Sequence, residues 1–156
     1  MQHLSSRERT APSTVVWLGY GGLAPFVALT LMLVLDPQRA PMWSDALAGY
    51  GAVILSFVGA LHWGFAMTAA GLDGAQRTRA FVWSVVPALM AWPATVLPGP
   101  YASAILLPGF GLHLVEDHRQ AGHAILPAWY LPLRWRLTIV AGICLVANVW
   151  YGVARA

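Results

Sequence analysis

The chain has 156 residues, of which 58% are apolar and only 10% charged, and its formal net charge is +3. Soluble domains carry about 25% charged residues, so a chain this poor in charge lacks the side chains to cover a surface in contact with water. An ordinary soluble domain is therefore excluded, and the nine basic residues, all arginine, form no cluster that would indicate nucleic-acid binding.

The first two apolar segments cover residues 15–35 and 46–70, and neither contains a charged side chain. About 20 apolar residues span the hydrocarbon core of a bilayer, so both segments predict transmembrane helices. The polar leader, residues 1–14, is expected to be disordered over roughly its first ten residues. Because a signal peptide has an apolar region of only about 7–15 residues, we predict that the first segment is not cleaved.

Three further apolar segments follow along the chain. The third, residues 80–97, contains Pro87 and Pro93, which should bend it. The fourth, residues 101–116, would reach only about 22 Å as a helix, less than the roughly 30 Å of a hydrocarbon core. Either its last residues lie at the membrane surface, or the third and fourth segments form a shallow hairpin. The fifth segment, residues 137–154, is long enough to span the bilayer.

Residues 120–136 connect the fourth and fifth segments and are rich in tryptophan, tyrosine, proline and arginine. Amphipathic rings and arginines favour the headgroup layer, so we predict an interfacial loop here. The single cysteine, Cys144, lies in the fifth segment. This count excludes an intrachain disulfide and a cysteine-based metal site.

The distribution of arginines predicts the orientation. With five crossings, one side of the membrane holds seven of them: Arg7, Arg9, Arg77, Arg79, Arg119, Arg134 and Arg136. The other side holds two, Arg39 and Arg155. Positively charged loops stay in the cytoplasm, so we predict a cytoplasmic N-terminus and a periplasmic C-terminus. The predicted class is an all-α integral membrane protein of a bacterial inner membrane, with one domain, residues 15–156, and five transmembrane helices.

Four runs of residues occur in a recognisable order: Trp17–Phe26, Tyr50–Phe65, Ser84–Trp92 and Trp129–Thr138. Together they resemble the uncharacterised membrane family called domain of unknown function 3429, which includes transmembrane protein 69. The motif Ser-Phe-x-Gly-x-x-His-Trp-Gly, residues 56–64, is the most specific part of the resemblance. The resemblance implies a small polytopic membrane protein of bacteria and mitochondria, and it implies no reaction and no catalytic residue.

Small side chains recur at every fourth position of the second segment. On a helix they would stack into one ridge, and such ridges allow the close backbone approach by which transmembrane helices associate. We predict a helix-packing seam within the molecule, with contact between two copies of the chain as the alternative. The ridge consists of Ala48, Ala52, Ser56, Ala60 and Gly64.

His62 lies within an apolar segment that has no other ionisable group. At that depth an imidazole should be neutral and hydrogen-bonded inside the bundle. Ser84 of the third segment is the expected partner, whereas Asn148 of the fifth lies towards the opposite side. We interpret His62 as the site of a hydrogen bond that fixes helix packing, with ligand binding or proton handling as the alternative.

His113, Glu116 and Asp117 are spaced so that one helix face would hold all three. We interpret them as a solvated helix end rather than a metal site, because no paired His-x-x-x-His spacing accompanies them. An alternative is that His62 and His113 are the two axial ligands of haem b. Because His113 is expected to lie nearer the membrane surface than His62, the sequence disfavours the haem alternative, and we predict no metal and no cofactor.

Phosphate loops, nucleophile elbows and paired intramembrane carboxylates are absent from the sequence. The sequence therefore favours a non-enzymatic accessory, assembly or structural subunit of a respiratory or photosynthetic complex. Its expected partners are the lipid bilayer and a larger complex or a second copy of the chain. The alternative is a binder or carrier of a quinone, lipid, other small molecule or proton at His62. An enzyme that uses His113, Glu116 and Asp117 on a lipid-soluble substrate ranks third.

Overall fold

The computed structural model describes residues 11–122 and 126–155, so only the last part of the predicted leader falls within it. The described residues contain no strand, which confirms the all-α class for that part of the chain. Short 3₁₀ turns cover Pro37–Arg39 and Pro93–Val96. The helices in chain order are α1 (Ser13–Gly21), α2 (Ala24–Leu35), α3 (Ala40–Thr68), α4 (Gly74–Ala91), α5 (Gly99–Ala121) and α6 (Tyr130–Val153).

The first predicted segment is divided into two helices, α1 and α2. Pro25 lies in the first turn of α2. A proline lacks the N–H that would bond to the preceding turn, and its ring clashes with the carbonyl there, so one uninterrupted helix is disfavoured. The Gly22 N–H bonds back to the Leu18 carbonyl at 2.9 Å and closes α1. Tyr50 of α3 donates its hydroxyl to the Gly22 carbonyl at 2.8 Å, which ties the break to the bundle.

The long helix α3 contacts α2, α4, α5 and α6 and so lies at the centre of the molecule. Its 29 residues correspond to about 43 Å of helix. It begins at Ala40, before the predicted start at residue 46, because Pro41 occupies its first turn. There the missing N–H of proline has no helical partner to lose.

The start of α4 is fixed by side chains of the preceding loop. The Asp73 carboxylate accepts from the Gln76 N–H at 2.8 Å, and the Gln76 side chain accepts from the Asp73 N–H at 3.0 Å. This capping box satisfies two backbone donors at once. The helix ends at Ala91, earlier than the predicted residue 97, because Pro93 begins a 3₁₀ turn.

The last two helices correct two predictions. α5 runs from Gly99 to Ala121, so Glu116 and Asp117 lie inside a helix and not at its end. α6 begins at Tyr130, because Pro132 falls in the first helical turn, where proline is tolerated. The second half of the predicted interfacial loop is therefore helical, and residues 123–125 lie outside the described part of the chain.

The hydrophobic core lies where α2, α3, α5 and α6 meet. Its most deeply buried large side chains are Phe26, Leu47, Leu55, Leu106 and Leu145. Other large apolar side chains, including Trp17, Phe57, Leu89 and Trp150, are more than half exposed. An exposed apolar surface of this extent is unusual for a soluble monomer and suits contact with lipid.

Within the described residues, three helical stretches are long and apolar enough, by length and composition, to cross a membrane: Ser13–Leu35, Pro37–Thr68 and Tyr130–Val153. α4 carries Arg77 and Arg79 near its start, and α5 carries Glu116 and Asp117 near its end. These charges shorten the apolar part of each helix.

Candidate functional site

Asp117 of α5 is surrounded by side chains from two other helices. His62 of α3 lies with Nε2 2.9 Å from Oδ1 of Asp117. From α6, Tyr130 donates its hydroxyl to the same oxygen at 2.9 Å, and Arg134 donates Nε to Oδ2 at 2.8 Å. Asp117 is 1% exposed and His62 is fully buried. We call these four residues, together with His113, the Asp117 cluster.

His113 is held by a tryptophan of α4. Trp83 donates its indole N–H to Nδ1 of His113 at 3.2 Å. A neutral imidazole that accepts at Nδ1 carries its proton on Nε2. That Nε2 lies 3.8 Å from Oδ1 of Asp117 and has no hydrogen-bond partner among the described residues. The Asp117 carboxylate therefore joins α3, α5 and α6, and the Trp83–His113 hydrogen bond connects α4 to α5 beside it.

The charges of the Asp117 cluster balance. The Arg134 guanidinium, only 8% exposed, neutralises the Asp117 carboxylate, and the hydrogen bonds from His62 and Tyr130 satisfy the other oxygen. A buried charge is tolerated only when it is paired and hydrogen-bonded. The acidic pair is thus part of the core, and its interpretation as a solvated helix end is wrong.

Glu116 faces a different neighbour. Its two carboxylate oxygens accept hydrogen bonds from Nε and Nη2 of Arg79, both at 2.7 Å. Nη1 of Arg119 lies 3.6 Å from Oε2 of Glu116. Glu116 itself is only 3% exposed, while Arg79 reaches outward. This bidentate pair joins α4 to α5 beside the Asp117 cluster.

Ser84 and Asn148 were the other polar residues predicted within the bundle. Ser84 has a different partner from the predicted one, and Asn148 has partners that the sequence did not predict. The Ser84 hydroxyl bonds to the Phe81 carbonyl of its own helix at 2.7 Å, so His62 takes Asp117 and not Ser84 as its partner. Asn148 accepts from the Ser44 hydroxyl at 2.7 Å and donates to the Ser103 hydroxyl at 2.9 Å. Asn148 is thus a satisfied polar contact between α3, α5 and α6.

The small-residue ridge of α3 is buried at one end only. Ala48 and Ala52 are buried, Ser56 is half-buried and bonds to its own helix at the Ala52 carbonyl, and Ala60 and Gly64 are exposed. The prediction of helix packing within the molecule is wrong for Ala60 and Gly64, because at this level of α3 the buried face contains Gly59 instead. That glycine lies against Pro87 of α4.

The three side chains of His62, His113 and Asp117 offer ligand atoms within 4.8 Å of one another. Two imidazoles and a carboxylate are a donor set that divalent transition metals accept. Two observations favour a hydrogen-bonded cluster instead. Arg134 already neutralises Asp117, so a divalent ion would add uncompensated charge to a buried site. Trp83 also directs the His113 proton to Nε2, the atom on which a metal would need a lone pair.

The two histidines that would ligate haem are neighbours in the bundle. Their ring centroids are 4.9 Å apart, so His62 and His113 lie side by side. Axial ligands of haem must face each other across a flat macrocycle, whereas both rings here face the Asp117 carboxylate. The geometry favours the hydrogen-bonded cluster over an axial ligand pair.

An apolar cavity of about 490 Å³ adjoins the cluster, and Tyr130 and Arg134 form part of its wall. α1, α2, α3, α5 and α6 all contribute to the lining, including Leu18, a residue that is 72% exposed. The cavity therefore reaches the outer surface of the bundle. Its aromatic lining residues are Phe26, Phe57, Phe65, Phe110, Trp129 and Tyr130.

A sequence profile of the family described as "Protein of unknown function (DUF3429)" matches residues 11–150. The chain belongs to the DUF3429 family. It is similar to "Transmembrane protein 69" of Xenopus tropicalis, with 35% identity over 144 residues, which are 90% of this chain and 55% of that protein. It is also similar to "Transmembrane protein 69" of Mus musculus, with 28% identity over 141 residues, which are 89% of this chain and 56% of that protein.

The chain spans about half the length of the curated relatives it matches. No solved structure matches it. Membership of the DUF3429 family confirms the resemblance seen in the sequence, and the family description assigns no reaction. The names of the relatives and the three apolar helical stretches both indicate a membrane protein.

Sequence reasoning missed four residues of this DUF3429 site: Trp83, Arg79, Tyr130 and Arg134. A signal for the last two was present, because Tyr130 and Arg134 are four positions apart and share one face of a helix. Interpreting residues 120–136 as a loop hid that spacing. Nothing in the sequence indicated that Arg79 pairs with Glu116.

Proposed function

We propose that this DUF3429 protein binds a largely apolar small molecule in the aromatic cavity, with the polar end of the molecule at Arg134. One observation carries this proposal. Arg134 is almost completely buried at the cavity wall, and only its Nε has a hydrogen-bond partner among the described residues. A guanidinium has five N–H donors, and the terminal amino groups of Arg134 have no acceptor among the described residues. A ligand atom would satisfy the terminal amino groups.

The cavity has the properties of a small-molecule site. Such sites measure about 300–1,000 Å³ and combine an apolar lining with a few polar groups, which fits this volume and these walls. The cavity opens beside Leu18, on the surface that suits lipid contact. An apolar ligand would therefore enter from the bilayer rather than from water.

The membrane arrangement is part of the proposal. We retain five crossings in a bacterial inner membrane, with the Asp117 cluster near the cytoplasmic side, because seven of nine arginines would then be cytoplasmic. The polar residues support this depth. Ser44 and His62 are both on α3, about 27 Å apart along the helix axis, close to the roughly 30 Å of a hydrocarbon core. The Asn148 contact and the Asp117 cluster would then lie near opposite surfaces.

The proposal is tested by purifying the protein in mild detergent and identifying bound organic molecules by mass spectrometry. Thr138→Phe places a ring in the cavity wall one helical turn from Arg134, and Ile139→Phe adds the same ring to the exposed side of the helix. We expect a molecule at near-stoichiometric amount in the wild type and in Ile139→Phe, and its loss in Thr138→Phe. Absence of a bound molecule from the wild type, or equal retention in both variants, would overturn the proposal.

The accessory-subunit function predicted from the sequence stays a prediction. The observation that favours it is the exposed half of the α3 ridge, where Ala60 and Gly64 would allow a helix of another protein to approach closely. The same purification tests it. A stoichiometric partner protein that is lost in Ala60→Leu would support an accessory role, and a protein that purifies alone would oppose it.

A further inference from the structure

Building on the proposed function, we infer that the polar end of the ligand is a neutral carbonyl on a flat ring, as in a quinone, and not an anion. Three properties of the cavity wall carry this inference: the charge balance behind it, the direction of its available hydrogen bonds, and the shape of its lining. Each of them comes from residues of the cluster or the cavity.

The charge balance disfavours an anionic head. Arg134 and Asp117 already neutralise each other across 2.8 Å. A carboxylate or phosphate bound to the terminal amino groups of Arg134 would place a second negative charge beside the buried carboxylate of Asp117. Two negative charges held by the same guanidinium repel each other strongly where the dielectric constant is low. The other nearby carboxylate, Glu116, belongs to the separate pair with Arg79.

The available hydrogen bonds require an acceptor. Both oxygens of Asp117 accept from protein donors, and the Tyr130 hydroxyl gives its proton to Asp117. The buried lone pair on Nδ1 of His62 has no partner among the described residues, but His62 does not line the cavity. The groups at the wall that have no partner among the described residues are the terminal amino groups of Arg134, the indole N–H of Trp129 and the hydroxyl of Thr138, and all three can donate. A neutral oxygen acceptor satisfies them without adding charge.

The lining selects a flat head over an ester-linked lipid. Six aromatic side chains line the cavity, among them Phe65 and Tyr130, whose rings meet edge to face at 5.6 Å. Aromatic rings pack against one another in offset or edge-to-face arrangements, so a conjugated ring in the cavity can pack against this lining. A prenyl or alkyl tail would leave the cavity beside Leu18 and enter the bilayer.

The inference is tested with the full chain in phosphatidylcholine nanodiscs, titrated with decylubiquinone and followed by quenching of tryptophan fluorescence, and palmitate is then titrated as a competitor that would reverse the quenching. The lipid of the disc supplies ester carbonyls in excess, so any saturable quinone signal reports preference over them. We expect decylubiquinone to bind at least about tenfold more tightly than palmitate. Arg134→Gln should weaken quinone binding by about 10- to 100-fold, as loss of a charge-assisted hydrogen bond does. Arg136→Gln, an exposed arginine of the same helix, should leave binding unchanged.

The outcomes separate the inference from the proposed function. If palmitate binds more tightly than decylubiquinone, or if Arg134→Gln and Arg136→Gln bind quinone equally well, the carbonyl inference is overturned while the cavity remains a binding site. If neither probe binds and no molecule co-purifies, the proposed function itself fails. Should Arg134→Gln not fold, the comparison of the two probes on the wild-type protein still decides the matter.

Discussion

Gly59 of α3 and Pro87 of α4 touch where their helices cross. A Cβ added to Gly59 would lie 2.8 Å from both Cβ and Cγ of Pro87, closer than real side chains approach. Both residues belong to rigid helix backbone, so neither can move aside independently. This contact sets the spacing between the two helices that carry His62 and Trp83.

Gly59→Ala should therefore destabilise the protein. Overpacking costs about 1–3 kcal/mol, against a gain of up to about 1 kcal/mol from the better helix propensity of alanine. Gly64→Ala is the matched control, because a Cβ there meets nothing within 4 Å and keeps only the propensity gain. Thermal unfolding in detergent would measure both variants. Equal melting temperatures would show that the helices adjust at Gly59 without strain.

The ion pair of Asp117 and Arg134 predicts strong coupling between two substitutions. Asp117→Asn leaves the Arg134 charge buried and uncompensated, which should lower the free energy of unfolding by about 3–5 kcal/mol. Arg134→Gln should lower the free energy of unfolding by a comparable amount, because it leaves the Asp117 carboxylate buried without its countercharge. The double variant should be more stable than the sum of the two losses implies, since it buries no unpaired charge. A double-mutant cycle from denaturant unfolding tests this, and additive losses would contradict the ion pair.

His62 should tolerate an amide better than an apolar side chain. His62→Leu removes one donor to Oδ1 of Asp117 while Tyr130 still donates to that oxygen, so we expect a loss of about 1–2 kcal/mol. His62→Gln can still donate an N–H and should recover most of it. Unfolding of the two variants side by side is the measurement. A glutamine variant as unstable as the leucine variant would indicate that the imidazole ring itself is required.

Topology reporters placed after α3 and after α6 should lie on opposite sides of the membrane. An insertion in the loop of residues 71–73, between α3 and α4, should behave as cytoplasmic, and a fusion at the C-terminus as periplasmic. The arginine asymmetry is the physical reason. Reporters that both score on one side would rule out five crossings and would favour an arrangement in which α4 and α5 do not both cross.

The sequence predicted the helical class and the burial of His62 inside the bundle. Both predictions depend on local properties, namely the length of the apolar segments and the isolation of one imidazole within such a segment. The sequence did not predict the partner of His62. That partner, Asp117, lies 55 residues further along the chain, and its burial depends on Arg134 arriving from a third helix. Without Arg134, a carboxylate near a membrane surface is most simply interpreted as solvated. Only the packing of three helices changes that interpretation.

The α3 ridge shows a similar limit. Its four-residue spacing is a true property of the helix, yet the spacing does not say which way the helix faces. Ala60 and Gly64 follow the spacing and are exposed, while Gly59, one position away, makes the close contact. A helix of 29 residues contacts different neighbours along its length, so no single stripe stays buried throughout.

The order in which the helices are synthesised gives the Asp117 cluster a further consequence. Asp117 leaves the ribosome 17 residues before Arg134, while His62 has already emerged 55 residues earlier. Until α6 inserts, the growing chain lacks Arg134, the cation that pairs with the Asp117 carboxylate. Insertion of α6 supplies the countercharge and the Tyr130 hydroxyl together, so it completes the bundle in one step. Nascent chains truncated before residue 130 should therefore be recognised as unassembled and degraded faster than chains that include Arg134.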